Sequence, residues 1–437
     1  MAEEKTVYLD GETSLMPQLV LDAFIQWTNR GSSRAKHASG QEGHELVKKF
    51  RKQIASVCEF DLAPIESSIA FKVLFTSGAA ESNYTIITRA MDGYWAKTGN
   101  RPHIITSNVE HPSVLSCCKR LEAEQSCQLT VLPVGTEGDT FGVVRPLDLE
   151  LAIKKNTCLV SIIAANHETG IINNLKELSK IARKSKVPFH SDVAQLFGKT
   201  AVRPCVLGLD AFSISLHKLH GPPGIGVLVV RNTFVQGYGI KFPEDGSLHG
   251  NMENLPGIGA GRVALRIALK DRAEKTVQVI KLRAAIKNVI EARIPCFYLD
   301  DHPAIVRWTH EGVWYERDRK GSSEMQDAIV KSEKNSTPIV VWIAPVGHER
   351  TMPGTLTLSV RRPHFNAEAA RAALERRGIL ISALTSRCDT VTSLNIPKEL
   401  KNGILRICIS DETTTDDIKA FARNFLEIIS GSESLRR

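Results

Sequence analysis

Short apolar runs alternate with an amphipathic segment in the middle of the chain. Residues 159–165 are almost wholly apolar and predict a buried strand. Residues 175–184 repeat apolar positions at helical spacing, so we expect an amphipathic helix there. Further strands are predicted for residues 187–190, 212–215 and 227–230. One long helix is predicted for residues 248–283. Because strands joined by crossover helices lie parallel, the pattern predicts an α/β fold with a mostly parallel central sheet.

Three polar residues come just after the ends of these predicted strands. They are Asn166, Asp192 and Lys218. The carboxyl ends of parallel strands share one edge of the sheet, and open α/β sheets bind their ligands at that edge. The sequence therefore predicts a ligand site that contains these side chains.

The residue types at this edge suit pyridoxal 5'-phosphate (PLP). PLP accepts electrons when a lysine amine holds its aldehyde as a Schiff base and a carboxylate keeps its pyridine nitrogen protonated. Lys218 and Asp192 fit these two roles. The small-residue turn Gly78-Ala79-Ala80 precedes a predicted helix, whose first N–H groups would attract the phosphate. His111 is the candidate ring that lies on the face of the cofactor.

Each of these residues alone also has an ordinary structural explanation. A lysine after a strand is usually a solvated surface residue. Asp192 is also typical of a turn or a helix cap, and His111 before Pro112 is typical of a strand end. Only the ordered combination favours a cofactor site.

The order and spacing of these motifs resemble the cysteine desulfurase and selenocysteine lyase family, a class V aminotransferase-like group of fold-type-I PLP enzymes. The resemblance runs from Tyr8-Leu9-Asp10, through residues 165–170, to residues 405–410. It implies a fold-type-I PLP-dependent transferase with a large α/β domain and a smaller α+β domain. The implied boundaries are residues 1–20 for the N-terminal segment of the small domain, 21–262 for the large domain and 263–437 for the small C-terminal domain, which has a polar insertion around 300–336.

The resemblance also implies a reaction and its residues. Sulfur or selenium would be removed from L-cysteine or L-selenocysteine to give alanine, with Lys218 and His111 catalytic and Cys388 carrying a persulfide. Arg406 would bind the substrate carboxylate, and Cys408, in an alternating apolar run, is expected in the core. The implied cofactor-binding residues are Gly78, Ala79, Ala80, His111, Asn166, His167, Asp192, Gln195, Ser215, His217 and Lys218.

Three positions depart from the family pattern. Ala80 stands where a phosphate-binding threonine is usual, and His167 replaces the second asparagine of Asn-Asn-Glu. Met252 replaces a threonine that reaches the phosphate of the neighbouring subunit. These changes leave two alternatives open. One is a PLP enzyme with other chemistry, such as a β-lyase, an epimerase or a transaminase, and the other is a degenerate homologue with a binding or structural role.

Composition limits the partners and the compartment. The 437 residues include 56 basic and 48 acidic residues spread without a long basic run, which argues against nucleic acid. No stretch predicts a membrane span or a signal segment. The nine cysteines follow neither zinc-ligand nor disulfide-framework spacing, so we expect no metal and a reducing, cytoplasmic location. The expected partners are an amino-acid substrate, a sulfur-acceptor protein and a second copy of the chain in a homodimer.

Overall fold

The computed structural model describes residues 6–30, 32–33, 35–59, 71–200, 206–243, 248, 252–299, 308–310, 313–315, 338–344, 350–385 and 388–431. The elements before residue 250 are β1 (Val7–Tyr8), α1 (Gln18–Thr28), α2 (Ala38–Glu59), β2 (Phe71–Thr76), α3 (Ala79–Thr98), β3 (His103–Ser107), α4 (Pro112–Ala123), β4 (Gln128–Leu132), α5 (Pro146–Ala152), β5 (Thr157–Ser161), α6 (Leu175–Lys184), β6 (Phe189–Asp192), β7 (Ala211–Ser215), β8 (Gly226–Arg231) and α7 (Asn232–Tyr238). Those after it are α8 (Leu255–Leu269), α9 (Arg272–Glu291), β9 (Cys296–Tyr298), β10 (Trp308–His310), β11 (Val313–Tyr315), β12 (Ile339–Trp342), β13 (Thr355–Arg361), α10 (Ala367–Glu375), β14 (Ile379–Leu380), β15 (Ser382–Ala383), α11 (Asp389–Ser393), β16 (Ile404–Cys408) and α12 (Thr415–Ser430).

The larger sheet has seven strands in the order β2-β8-β7-β6-β5-β3-β4, and all neighbours are parallel except those of β8. Every residue of β3, β5, β6 and β7 is buried. Burial on both faces is expected of parallel strands joined by crossover helices. The predicted mostly parallel sheet is therefore present.

The last strand of the predicted series has the opposite direction. β8 runs antiparallel to both β7 and β2, although the apolar pattern predicts parallel strands. The connection between β7 and β8 runs only over residues 216–225, which is too short for a crossover. β8 begins at Gly226, where a Cβ atom would lie 2.4 Å from Cα of Gly78, so this strand can pass the start of α3 only with glycine at that position.

One helix was predicted from residue 248 to residue 283, and this prediction is wrong. The structure has two helices, α8 and α9, separated by Asp271 in the left-handed region at φ 54°. Asn254 caps the N-terminus of α8, because its side chain accepts a hydrogen bond from the Gly257 N–H at 2.9 Å. Aspartate is among the few residues that enter the left-handed region at small cost, and this breaks the helix.

The second sheet has five strands in the order β15-β16-β13-β12-β9. Helices α9, α10 and α12 cover it, and β1 pairs with β14 beside it. Val7 and Leu9 pack into this second core, so the start of the chain joins its last third. This packing supports the assignment of the N-terminal segment to the small domain. The boundary predicted at residue 262 falls inside α8, whose Leu265 packs into the core of the large sheet, and the division at residues 20 and 262 stays a prediction. Apart from β10 and β11, the polar insertion at 300–336 lies outside the described residues. Among the described helices, none is long and apolar enough to cross a membrane.

Candidate active site

Lys218 and Asp192 lie beside each other at the carboxyl edge of the large sheet. Asp192 is the last residue of β6, and Lys218 follows β7 in a short 3-10 helix over Leu216–Lys218. Burial lowers the pKa of the Lys218 amine, and the nearby charge of Asp192 acts in the opposite direction. A half-buried amine with a lowered pKa next to a carboxylate is suited to covalent and proton-transfer chemistry.

The N-terminus of α3 opens onto the same edge. Gly78 is its N-cap, and the Ala79 N–H donates to Ser215 Oγ at 2.9 Å. Ala80 is exposed in the first turn and offers no hydroxyl. His217, beside Lys218, has its pKa lowered to about 4 by burial and by Lys218, so its imidazole is neutral at pH 7. This group of donors can hold an anion through the helix N-terminus and the Ser215 hydroxyl.

Two imidazoles are in edge-to-face contact near Lys218. The ring centroids of His111 and His167 are 5.2 Å apart with an interplanar angle of 64°. His111 caps α4 and its Nδ1 lies 2.8 Å from Ser113 Oγ. Burial lowers the pKa of both rings, that of His167 to about 3. Nδ1 of His167 is buried with no hydrogen-bond partner among the described residues, so it can accept from or donate to a bound ligand.

The side chain of Asn83 orients Asp192, and sequence reasoning assigned it no role. Its Nδ2 donates to Asp192 Oδ2 at 2.8 Å and to Ser113 Oγ at 3.0 Å. The backbone N–H of Ala194 donates to the other oxygen of Asp192 at 3.0 Å. Asn83 lies four residues after Ala79, so its helical spacing places it on the face of the first turn of α3. That spacing was the available signal.

Asn166 organises the loop after β5 rather than presenting a free side chain. Its Oδ1 accepts from the backbone N–H groups of Glu168 and Thr169, at 3.0 and 2.8 Å. Its Nδ2 donates to the Val109 carbonyl and to Thr390 Oγ1, both at 3.0 Å. A direct contact between Asn166 and a cofactor therefore requires the exchange of one of these bonds, and its cofactor role stays a prediction.

Arg406 is only 4% exposed and is held in position by three groups. Its guanidinium donates to Ser382 Oγ at 2.7 Å, to the His167 carbonyl at 2.9 Å and to Asp10 Oδ1 at 3.2 Å. Nε of Arg406 is buried without a hydrogen-bond partner among the described residues. The arginine is thus fixed beside the His167 segment, and its predicted contact with a substrate carboxylate remains a prediction.

Cys388 lies at the N-cap of α11, and its thiol donates a hydrogen bond to Glu168 Oε2. Burial and the charge of Glu168 raise the pKa of this thiol to about 12. The residue before it in the sequence, Arg387, lies outside the described residues. The thiol is therefore protonated at neutral pH and lies close to the segment that contains His167.

A cavity of about 240 Å³ opens over Lys218. Gln195, His167 and the half-buried Lys199 line it. Residues of the N-terminal segment and of α9 also line it, so the cavity lies between these elements and the large sheet. Cys408 also lines this cavity and is half-buried, so the prediction that it lies in the core is wrong. β16 ends at this residue, and its side chain therefore reaches the cavity instead of the packed interior.

The comparisons with known proteins agree with this architecture. A family model described as aminotransferase class-V matches residues 7–292, well over half of the chain. The chain is 33% identical over 394 residues to the cysteine desulfurase IscS of Methanosarcina thermophila, covering 84% of this chain and 90% of the relative. The chain belongs to the aminotransferase class-V family, as a member of its cysteine desulfurase group.

A second relative and a solved structure extend the comparison. The mitosomal cysteine desulfurase of Encephalitozoon cuniculi is 34% identical over 301 residues, which cover 66% of each protein and thus slightly less than two thirds of that relative. The structure of a NifS-like protein is similar with a TM-score of 0.75 at 23% identity, covering 98% of this chain and 100% of that one. The predicted fold class and family are confirmed, and neither alternative, a PLP enzyme with other chemistry or a degenerate homologue with a binding or structural role, is favoured. The individual roles of the site residues stay predictions.

Proposed function

We propose that this chain binds PLP at Lys218 and removes sulfur from L-cysteine, leaving alanine and a persulfide on Cys388. One observation carries the proposal. The segment His167-Glu168 connects the two chemical centres, because His167 lines the Lys218 cavity and Glu168 contacts the Cys388 thiol. This segment therefore connects Lys218 with the Cys388 thiol through the Glu168 carboxylate, although the three residues are far apart in the sequence. In the proposed reaction they would act on a single substrate.

The residues present fit PLP by their chemistry. The Asp192 carboxylate, held by Asn83 and the Ala194 N–H, would keep the pyridine nitrogen protonated. The start of α3 and the hydroxyl of Ser215 would take the phosphate. Nδ1 of His167 is buried without a hydrogen-bond partner among the described residues, and buried polar atoms usually have one, so a bound ligand would satisfy it. PLP bound here would supply an electron sink for the substrate α-carbon.

The side chains of the chain supply the other parts of the reaction. Burial lowers the pKa of Lys218, which favours its Nζ as the group that accepts the proton of the substrate α-carbon. His111 Nε2 is available for proton transfer, since its Nδ1 is engaged with Ser113. Arg406 would orient the substrate carboxylate by charge and hydrogen bonding. Cys388 would take the sulfur as a persulfide.

The proposal also includes a homodimer, a cytoplasmic location, a sulfur-acceptor protein and selenocysteine as an alternative substrate. Support for the homodimer comes from exposed apolar side chains on the N-terminal segment and α1. Leu15, Leu19 and Ile25 are 53%, 63% and 59% exposed. Exposed apolar groups concentrated in one segment are typical of an interface. Light scattering on the native protein and on Leu19→Lys would test this, with a dimer expected only for the native chain.

The deciding experiment measures alanine and persulfide formed from L-cysteine. The PLP-loaded native protein should produce both, and Lys218→Ala should lose the bound chromophore and all alanine formation. Cys388→Ala should lose the persulfide. Cys408→Ser, which removes the thiol that lines the cavity, should retain it. Sulfur transfer that persists in Cys388→Ala but disappears in Cys408→Ser would overturn the choice of nucleophile.

A further inference from the structure

The thiol of Cys388 contacts the Glu168 carboxylate, which has few other polar contacts among the described residues. Cys388 Sγ donates to Glu168 Oε2, although the two residues are 220 positions apart in the sequence. The side chain of Glu168 is 14% exposed, and its Oε1 lies 3.8 Å from His167 Nε2. Within the part of the chain that the structure describes, no lysine or arginine pairs with this carboxylate. It is therefore a proton acceptor placed directly against the thiol.

Titratable groups and backbone donors from neighbouring segments act on this contact. Glu168 comes from the loop after β5, with His167 beside it, and burial keeps the His167 imidazole neutral at pH 7. The charge of Glu168 also acts on His111, whose pKa burial lowers. On the thiol's own helix, the backbone N–H groups of Thr390 and Val391 favour the thiolate, but burial and Glu168 outweigh them. The net effect holds the proton on sulfur until a reaction removes it.

We propose that Glu168 is a catalytic base that accepts the Cys388 proton as sulfur leaves the substrate. This inference rests on the proposed desulfurase function. The Cys388 sulfur forms an S–S bond with the substrate sulfur while the substrate Cβ–S bond breaks, and that electron pair stays with the Cβ atom. The Cys388 proton passes to Glu168, and the Cβ atom gains one proton to become the methyl group of alanine. The substrate carbon is reduced and its sulfur is oxidised to the persulfide level, so no other oxidant or reductant is needed.

The same carboxylate has two opposite effects, and this makes the proposal testable. Its charge suppresses the free thiolate, yet its basicity assists the transfer step. Glu168→Gln removes both effects and keeps the shape of the side chain. A fall of one unit in the thiol pKa raises its thiolate fraction about tenfold at neutral pH. Alkylation of Cys388 should therefore become faster in Glu168→Gln while persulfide formation becomes slower.

The experiment measures both rates for the native protein, Glu168→Gln and Glu168→Asp. Alkylation by iodoacetamide is followed between pH 6 and pH 10 by mass spectrometry of the peptide that contains Cys388, without substrate. Persulfide formation is followed in single turnovers with L-cysteine and PLP. We expect Glu168→Gln to alkylate roughly tenfold faster at pH 8 and to transfer sulfur at least roughly tenfold more slowly. Glu168→Asp should retain part of the transfer rate, and the exposed control Glu150→Gln should match the native protein.

The outcomes separate this proposal from the one on which it rests. If Glu168→Gln accelerates both rates, Glu168 only restrains the thiol and the assignment as a base is overturned. Unchanged alkylation in Glu168→Gln overturns the assignment whatever the turnover, because the thiol proton is then not controlled by Glu168. A native protein that makes no alanine from L-cysteine overturns the desulfurase function, and the alkylation comparison still decides whether Glu168 controls the thiol proton.

Discussion

Nδ2 of Asn83 lies 2.8 Å from Oδ2 of Asp192, although the two residues are 109 positions apart. Asn83 is fully buried on α3, and Asp192 ends a central strand of the sheet. The bond therefore links the helix whose N-terminus faces the proposed phosphate position with the carboxylate proposed for the pyridine nitrogen. A single asparagine thus couples two ends of the proposed cofactor site.

Asn83→Ala should weaken PLP binding. Hydrogen bonds to charged groups contribute about 1.5–3 kcal/mol, so we expect the affinity to fall by about tenfold or more. The measurement is an absorbance titration of PLP-free protein with PLP. Asn100→Ala, at an exposed turn, is the control and should bind like the native chain. Equal affinities for native and Asn83→Ala would show that the Asn83–Asp192 bond does not support the cofactor.

Arg406→Lys should raise KM for L-cysteine more than it lowers kcat. Lysine keeps the charge but cannot form the same planar, multi-donor contacts with Asp10, Ser382 and a substrate carboxylate. Loss of a charge-assisted bond of about 2 kcal/mol corresponds to a rise in KM of roughly thirtyfold. Steady-state kinetics check this, and thermal unfolding of the same variant monitors its fold. A kcat loss at unchanged KM would assign Arg406 to the structure of the site instead.

Glu110→Gln should change how stability depends on pH. Burial raises the pKa of Glu110 from 4.5 to about 8. Hydrogen bonds from Ser107 Oγ and the Ile163 N–H lower this pKa, but burial has the larger effect. Because the pKa is higher in the folded state, the contribution of the Glu110 carboxyl group to stability is fully present below about pH 4.5. It is lost as the pH rises through about 8. Glutamine does not titrate, so between pH 5 and pH 8.5 the native protein should lose about 3 kcal/mol relative to the variant. Denaturant unfolding at both pH values measures the difference, and a constant difference would contradict the prediction.

Asp411→Asn should destabilise the protein most at mildly acidic pH. Asp411 accepts from His220 Nε2 at 2.9 Å, and its other oxygen lies 2.9 Å from Lys275 Nζ. Burial raises the pKa of Asp411 and lowers that of His220, but the pairing outweighs burial, so the net pKa of Asp411 is lowered and that of His220 is raised. The Asp411 contribution is present above pH 3.8 and is lost as the pH falls, whereas the His220 contribution is present below pH 6.5 and is lost as the pH rises through its folded pKa.

The destabilisation of Asp411→Asn should therefore be largest between about pH 4 and pH 6.5, at about 2 kcal/mol, since the pair is only partly exposed. It should decrease towards pH 9, because the contribution of the His220 pair is lost as the pH rises. Urea unfolding at pH 6 and pH 9 gives the comparison. Asp416→Asn, whose exposed carboxylate pairs with Lys419, should change stability little at either pH. A larger effect at pH 9 than at pH 6 would contradict the role of His220.

Local patterns were sufficient for the parts of the molecule that depend on neighbours along the chain. The apolar spacing of α6 predicted its bounds, Leu175–Lys184, and the strand ends correctly placed Asp192 and Lys218 at one edge of the large sheet. These features follow from helical and strand periodicity and from the geometry of parallel sheets, which are properties of short segments.

Contacts between distant segments required the tertiary structure. The short turn before Gly226 reverses β8, Asn83 reaches Asp192 from another element, and the Cys388 thiol meets Glu168 across the two halves of the chain. No periodicity reports which side chains meet when separate elements pack, because that depends on the orientation of whole helices and strands in the folded protein. The sequence therefore determined which chemical groups are available, such as the amine of Lys218 and the thiol of Cys388. Only the tertiary structure decided which neighbouring groups control their protonation and orientation.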